Sequence, residues 1–185
     1  TTASGSAFFG TNAGGTVTTG NMNIGIGYDA MNGASTTGDN NIAIGVSAGD
    51  ALTSGKNNVF MGKDAGGAAT TLVDAVIIGK DAGMGVMTAD SAGTVAIGMT
   101  AGAAITAGTH TQPNTVIGYH AGKLITVGDG NTAVGGYALD AEVTGHKSTA
   151  VGFNSLSAQV NSGDVDTHNT AVGFSAGLAV TTGVE

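Results

Sequence analysis

Two short stretches of the sequence match the glycine-flanked serine of hydrolases, residues 45–49 (GVSAG) and residues 173–177 (GFSAG). In a hydrolase this serine is the nucleophile on a sharp turn between a strand and a helix, and it needs a histidine and an acid close by. The same sequence context recurs along the chain with Asp64, Thr100 or His120 in place of the serine. We therefore interpret it as a polar turn position and predict no catalytic residues and no enzyme activity.

A candidate metal cluster lies near the C-terminus, where Asp164, Asp166 and His168 alternate with other residues. The carboxylate oxygens of such a cluster would favour calcium. However, the cluster falls in the longest segment between repeats, so a solvated loop is the alternative interpretation. Aspartate also does not recur at the spacing of calcium-binding nonapeptide repeats. We predict no bound metal and no cofactor, with these three residues as the only candidate ligands.

The composition excludes several classes of protein. Glycine accounts for 34 of the 185 residues, yet there is one proline and no cysteine, which excludes a collagen triple helix and a disulfide framework. The formal net charge is −8 and all five basic residues are lysine, which argues against a nucleic-acid-binding surface. No apolar run approaches the ~20 residues of a membrane-spanning helix. We therefore expect neither nucleic acid nor membrane insertion.

An internal repeat covers the whole chain and sets the positions of these candidate residues. A large apolar residue followed by glycine recurs at intervals of 17 to 21 residues, and we call this glycine the anchor glycine. The ten anchor glycines are Gly10, Gly27, Gly45, Gly62, Gly79, Gly98, Gly118, Gly135, Gly152 and Gly173. Because no linker separates them, we predict a single repeat domain over residues 1–185.

The three residues before each anchor glycine predict a β-strand. The first and third are mostly β-branched or otherwise large and apolar, as in Ile42 and Ile44, so they are expected to share one buried face. The middle residue is apolar or glycine in all ten repeats, so the second face is expected to be buried as well. We expect one face to fill the coil and the middle residues to face another copy of the chain. The candidates for this contact are Phe8, Ala43, Phe60, Ile77, Ala96, Val116, Ala133, Ala150 and Ala171.

Two further columns complete one coil per repeat. The third residue after the anchor glycine is alanine in nine repeats and Ser155 in the tenth, which indicates a tight turn or close backbone packing. An apolar-Thr-x-Gly motif, as in residues 52–55 and 125–128, predicts a second short strand that ends in a turn. Glycine and β-branched residues disfavour helices. We predict an all-β fold, a parallel β-solenoid or β-roll of about ten coils with two short strands per coil.

Polar columns are expected at the corners of the coils. Asparagine lies four residues before the anchor glycine in six repeats, and stacked asparagines are expected to form an amide ladder that satisfies backbone groups of the turn. A ligand-binding role is the alternative. Lys63 with Asp64, and Lys80 with Asp81, occupy the same columns in neighbouring repeats. We expect them to form a small exposed patch of ion pairs.

Aromatic residues cluster just after the anchor glycines. Tyr28, Tyr119, Phe153 and Phe174 follow the glycine directly, and Tyr137 lies one place later. On the outside of a rod these rings would either pack against the next chain or support a sugar ring. We favour packing against the next chain.

A column of nine threonines suggests ice binding as an alternative function, since regular threonine rows on flat solenoids bind ice. The varying repeat length and the single aligned threonine in most coils argue against it. The column consists of Thr18, Thr36, Thr53, Thr70, Thr88, Thr106, Thr126, Thr144 and Thr181.

The repeat resembles those of two families of extended surface proteins. Its pattern, Asn-(Ser/Thr)-(Val/Ala)-(Ala/Val)-(Ile/Val)-Gly-x-x-Ala, is clearest in residues 131–138 and 169–176. It is similar to the head repeats of trimeric autotransporter adhesins and to the Asn-Thr-Ala-Val-Gly arrays of bacteriophage tail fibres. The adhesin resemblance implies a left-handed parallel β-roll packed as a homotrimer around a threefold axis. The repeats here are longer and more variable than adhesin-head repeats, and no heptad stalk or basic neck is present, which favours a virion fibre.

We therefore expect a structural and host-attachment segment of a trimeric virion appendage, such as a phage tail fibre. The expected partners are further copies of the chain, other virion or fibre proteins, and a glycan or protein on the host cell surface. The expected location is the virion, or otherwise the cell exterior. The first alternative is the head of a bacterial trimeric surface adhesin, and the second is an ice-binding β-solenoid.

Overall fold

Each repeat of the chain forms one coil of a β-solenoid. The computed structural model describes residues 3–33, 35–106, 108, 112–161 and 163–182. Within them, ten strands of three residues form a single parallel sheet whose strand order follows the sequence. The segments between consecutive strands make about nine turns. The predicted all-β parallel solenoid is thus confirmed.

The strands end at the residue before each anchor glycine, as predicted. They are β1 (Ala7–Phe9), β2 (Ile24–Ile26), β3 (Ile42–Ile44), β4 (Val59–Met61), β5 (Val76–Ile78), β6 (Val95–Ile97), β7 (Thr115–Ile117), β8 (Thr132–Val134), β9 (Thr149–Val151) and β10 (Thr170–Val172). A short 3-10 helix over Ala89–Ser91 precedes β6, and the described residues contain no α-helix.

Neighbouring strands pair in strict register. Ile42 of β3 lies opposite Ile24 of β2 and Val59 of β4, and the alignment persists to β10, where Thr170 lies opposite Thr149. The repeats differ in length, but the extra residues lie in the turns between strands. Repeat length therefore varies without disturbing the sheet.

The predicted second strand of each coil is present only in part. The threonine-glycine segments make single hydrogen bonds between coils, such as that from the Thr53 N–H to the Thr70 carbonyl (2.8 Å). Isolated bridges occur as well, such as that between Val17 and Thr36. These contacts do not extend into a ladder of paired residues. Each described coil thus has one regular strand, and turns make up most of its remaining length.

The two faces of the strands are the reverse of the expectation from the sequence. Ala43, Phe60, Ile77, Ala96, Val116, Ala133 and Ala150 are completely buried inside the single chain, Ala171 is nearly so, and Phe8 in the first coil is partly exposed. This corrects the prediction that these nine middle residues face another copy. The coil interior is narrow and also takes the alanine column after the turn, so it accommodates one side chain per strand. The larger first and third residues consequently point outward.

The anchor glycines are required by both the backbone angle and the available space. At Gly98 the angle φ is +131°, and an added Cβ would lie 2.4 Å from the carbonyl oxygen of Gly118 in the next coil. No side chain fits a gap of that size, and L-residues rarely adopt this backbone conformation. Gly173 in the last described coil has a similar φ of +129°, but the nearest atom to its added Cβ is 3.9 Å away.

Candidate functional surfaces

The two serine motifs are turn positions of the coil. Ser47 and Ser175 both have a positive φ of 51°, and Asp64 and His120 in the same column have similar angles. The Ser47 N–H donates to the carbonyl of Tyr28 in the preceding coil, so the turn belongs to the ladder between coils. No helix follows either serine in the described residues. The strand-turn-helix context of a nucleophilic serine is therefore missing at both motifs.

The three candidate metal ligands do not converge on one point. Asp164 Oδ1 lies 2.5 Å from Nε2 of the buried His146, whereas Asp166 Oδ2 accepts a hydrogen bond of 2.6 Å from Lys147. His168 is 3.9 Å from Asp166 through Nε2. Across the described residues, no group of three or more acidic, histidine or cysteine side chains is arranged to hold a metal ion.

His146 and Lys147 instead attach the longest inter-repeat segment to the coil before it. The His146 ring is buried, and its Nδ1 lies 2.8 Å from Asp129 Oδ1 while its Nε2 contacts Asp164. The charge of Lys147 and its hydrogen bond lower the pKa of Asp166. These contacts span three successive coils, which accounts for the Asp-x-Asp-x-His pattern as a structural feature.

A continuous surface is formed by the first and third residues of β1–β10, and we call it the outward sheet face. Every one of these residues is partly or fully exposed in the single chain, from 40 % for Ile26 to 69 % for Val172. None of them carries a charge. In β2–β6 both columns are entirely aliphatic or methionine. A sheet face that meets water normally carries polar residues, so this surface has the composition of an interface.

The outward sheet face changes in the last four strands. Their first residues are Thr115, Thr132, Thr149 and Thr170, and their third residues remain isoleucine or valine. This threonine row differs from the threonine column singled out in the sequence. Hydroxyl groups of that column are engaged between coils, for example from Thr53 Oγ1 to the Thr70 carbonyl (3.0 Å).

The corner that follows the sheet carries charge in the middle of the rod. Lys63 Nζ pairs with Asp64, and Lys80 Nζ pairs with Asp81 at 2.8 Å. Both lysines are exposed. The predicted patch of exposed ion pairs is confirmed, and such exposed pairs contribute little to stability.

The same corner carries aromatic rings in the C-terminal coils, and we call these rings the aromatic ladder. Its members are Tyr119, His120, Tyr137, Phe153 and Phe174. Tyr119 stacks on His120 with ring centroids 3.9 Å apart, and Phe153 stacks on Phe174 at 5.6 Å. Tyr137 stands between the two pairs at 72° to the Tyr119 ring and 78° to the Phe153 ring. Tyr28, the remaining tyrosine, lies in the second coil, distant in the array.

Charged side chains accompany the aromatic ladder. Asp140 and Lys123 share a column in neighbouring coils, and the Asp140 Oδ1 atom is buried without a hydrogen-bond partner. Burial raises the pKa of Asp140, although its own backbone N–H and the nearby His120 and Lys123 oppose the shift. Burial and the Lys123 charge lower the pKa of His120. The imidazole is consequently neutral at pH 7.

A buried amide ladder runs along the corner before the sheet, as predicted. Asn41 Nδ2 donates to Asn23 Oδ1 (3.1 Å) and to the Gly55 carbonyl (2.9 Å). Asn58 Nδ2 makes the corresponding bond to Asn41 Oδ1 at 3.0 Å. All three asparagines are fully buried. Their amides satisfy backbone groups inside the rod and are inaccessible to a ligand.

A second buried polar cluster was not predicted. Glu142 is completely buried in a column that holds Leu52 and Ile125 in other coils. Its Oε1 accepts hydrogen bonds from the backbone N–H groups of residues 143–145 and Asn161 at 2.8–3.2 Å. Its Oε2 accepts from Gln159 Nε2 (2.8 Å) and Asn161 Nδ2 (2.6 Å). The burial of Glu142 would raise its pKa, but these hydrogen bonds outweigh the burial and lower it.

Sequence signals for the missed features exist in part. The middle strand column holds alanine in five repeats and glycine in one, and such small residues suit a narrow interior better than an interface. Glu142 and Gln159 break an otherwise apolar column at the same place in successive repeats. Their pairing required knowledge of the register between coils.

No helix in the described part of the chain has the length and apolar character needed to cross a membrane.

Comparison with family models, with curated proteins and with solved structures found no match to this chain.

Proposed function

We propose that this chain is a rod-like structural and attachment segment of a trimeric virion appendage, which self-associates through the outward sheet face. The observation that carries this proposal is the aliphatic surface of β2–β6, exposed in the single chain and free of charged residues. Parallel sheets occur almost only with both faces covered. The coil interior covers one face, and another copy of the chain is the occupant that fits the other.

The composition of the outward sheet face favours copies that run parallel and in register. In that arrangement the aliphatic rows of β2–β6 meet aliphatic rows, and the threonine rows of β7–β10 meet threonine rows. Antiparallel copies would instead place threonine against isoleucine along most of the face. Ten strands spaced about 4.8 Å apart give a contact about 48 Å long.

Association around a threefold axis follows the resemblance to adhesin heads and phage fibres, and it suits a stiff rod. Such a rod holds its loops and corners at fixed distances from its base, so the host-facing groups would be those outside the sheet. Attachment to a host-surface glycan or protein would then use the corners and turns. A bacterial surface adhesin is the alternative setting for the same rod, and capsid or tail genes beside this one would favour the virion.

The test is the mass of the protein in solution. Sedimentation equilibrium is expected to give about three times the chain mass of 17.7 kDa. The double variant Ile44→Lys with Ile78→Lys should sediment as a monomer with an unchanged far-ultraviolet spectrum, because two charges then lie within the apolar face. Met84→Lys, a change at an exposed apolar residue outside the sheet, should leave the trimer intact. A wild-type mass of 17.7 kDa would overturn the proposal.

The threonine row supports ice binding as a second candidate. Thr115, Thr132, Thr149 and Thr170 lie in register on parallel strands about 4.8 Å apart, each with an aliphatic residue two positions later. A regular flat array of this kind suits ordered water. A thermal-hysteresis measurement decides this candidate: activity that Thr132→Lys abolishes supports it, and freezing indistinguishable from buffer excludes it.

A further inference from the structure

We propose that the aromatic ladder is a binding platform for a neutral glycan. The proposal deepens the attachment role described above by naming the surface and the chemical class of its ligand. It rests on the geometry of five rings from four successive coils, together with the charged groups beside them.

The rings present a rigid and exposed surface. Tyr119 is 43 % exposed and Phe174 is 79 % exposed, so the ladder is open to solvent in the single chain. The His120 and Tyr137 N–H groups donate to Met99 (3.1 Å) and Tyr119 (2.8 Å) in the preceding coils, so the ladder between coils fixes their backbones. A platform that is ordered before binding loses little entropy when a ligand arrives.

The ring geometry suits pyranose units. The C–H face of a sugar stacks on the electron-rich face of an aromatic ring, and here Tyr137 stands nearly perpendicular between two stacked pairs. A ligand lying along the ladder thus meets rings in two orientations. Coils follow one another at about 4.8 Å, a step comparable to the advance of one hexose along an extended glycan.

The polar groups beside the rings supply hydrogen bonds to hydroxyls. Specific small-molecule sites combine apolar surfaces with a few fixed polar groups, and Lys123, Asp140, neutral His120 and the tyrosine hydroxyls fill this role. The buried Asp140 Oδ1 lacks a partner, and a hydroxyl donor reached through a small rotation of the carboxylate would satisfy it. These groups show that the surface is not purely apolar, as a face built only for protein packing would be.

The charge balance favours a neutral ligand. Lys123 and Asp140 offset each other, His120 is neutral at pH 7, and the chain as a whole carries a net charge of −8. A polyanionic glycan would meet repulsion from the rod without a cluster of cations to offset it. Neutral hexose oligomers are therefore the class to test.

The experiment is isothermal titration of the full chain with cellohexaose, mannohexaose and maltohexaose. We expect at least one of the three to bind with millimolar or better affinity. Tyr119→Thr and Tyr137→Asn should each weaken that binding at least tenfold, and both replacements already occur in the same columns, as Thr11 and Asn12. Tyr28→Thr is the matched control, since it removes an exposed tyrosine from the Tyr119 column outside the ladder, and it should leave the affinity unchanged.

Three results would overturn this inference. They are no binding of any of the three oligosaccharides, equal loss of affinity in Tyr28→Thr, and loss of self-association in Tyr119→Thr, which would assign the rings to the contact between copies. Sedimentation of the same variants keeps the two proposals separate. A monomeric wild type that binds a glycan would refute the trimer and support the platform, and a trimer that binds none would do the reverse.

Discussion

The coils around β3–β6 and those around β8–β9 have the same backbone but different interiors. In the seventh position after the anchor glycine, the central coils carry Leu52, Ala69 and Ile105, all buried among apolar side chains. The later coils carry Glu142 and Gln159 there, also completely buried. The same position thus accepts either an apolar side chain or a charged one.

The comparison shows which columns define the fold. Glycine at the anchor and alanine after the turn recur throughout both regions, because the spacing between coils leaves no room for anything larger. The seventh position tolerates a polar side chain only where every polar atom has a partner. Glu142 meets this condition through six hydrogen bonds, in agreement with the rule that buried polar groups are hydrogen-bonded.

The largest expected effect comes from exchanging the two interiors. Leu52→Glu would bury a carboxylate among apolar side chains, and we expect it to lower the free energy of unfolding by about 5 kcal/mol, enough to disrupt the central coils. Glu142→Leu should cost about 4 kcal/mol because it leaves six buried donors unpaired. Urea denaturation followed by circular dichroism measures both.

Leu52→Ile is the control for this exchange, and it should cost less than about 1.5 kcal/mol because volume and polarity are kept. If Leu52→Glu were as stable as Leu52→Ile, the interior of the central coils would have to be accessible to water, which contradicts the burial described above.

A smaller effect is expected at the anchor glycines, where a central coil and the last described coil can be compared. Gly98→Ala should cost about 4 kcal/mol, since it combines the strain of a positive φ with a collision against the Gly118 carbonyl. Gly173→Ala has the same strain without the collision and should cost about 2 kcal/mol. Thermal denaturation of the two variants gives the difference, and equal losses would show that the backbone angle alone requires glycine.

The smallest effect is the pH dependence of the polar interior. Because the hydrogen bonds hold the pKa of Glu142 below its ordinary value of 4.5, its carboxylate stabilises the fold above about pH 4.5, and this contribution is lost as the pH falls through the folded-state pKa. Glu142→Gln should cost about 2 kcal/mol at pH 7 and flatten the acid limb of the stability curve.

The readout for Glu142→Gln is the difference from the wild type between pH 3 and pH 7, because Asp50 and Asp140, whose pKa values burial raises, contribute to both proteins. A difference that does not shrink as the pH falls would contradict the assignment of an ionised carboxylate.

Much of the fold could be predicted from the sequence because the repeat aligns residues that meet between coils. The strand ends, the asparagine ladder and the paired lysines and aspartates of neighbouring repeats all follow from aligned columns. The direction of the strand faces could not be predicted in the same way, since both faces of residues such as Ile42, Ala43 and Ile44 are apolar. The width of the coil interior decides which face turns inward, and that width depends on how the turns pack.

The surfaces were harder to predict than the fold. The aromatic ladder combines Tyr119, Phe153 and Phe174 from one column with His120 and Tyr137 from the next, so no single column contains it. Similarly, the contact between His146 and Asp164 depends on an inter-repeat segment whose path does not follow the repeat.

The central claim is that the first and third strand residues, and not the middle ones, form the contact between copies. The chain has no cysteine, so single cysteines test this directly. Under mild oxidation Ile44→Cys is expected to form disulfide-linked dimers between copies in register. Ala43→Cys should neither cross-link nor react with maleimide until the protein unfolds, because its side chain lies inside the coil. Cross-linking through residue 43, or its absence at residue 44, would contradict the account.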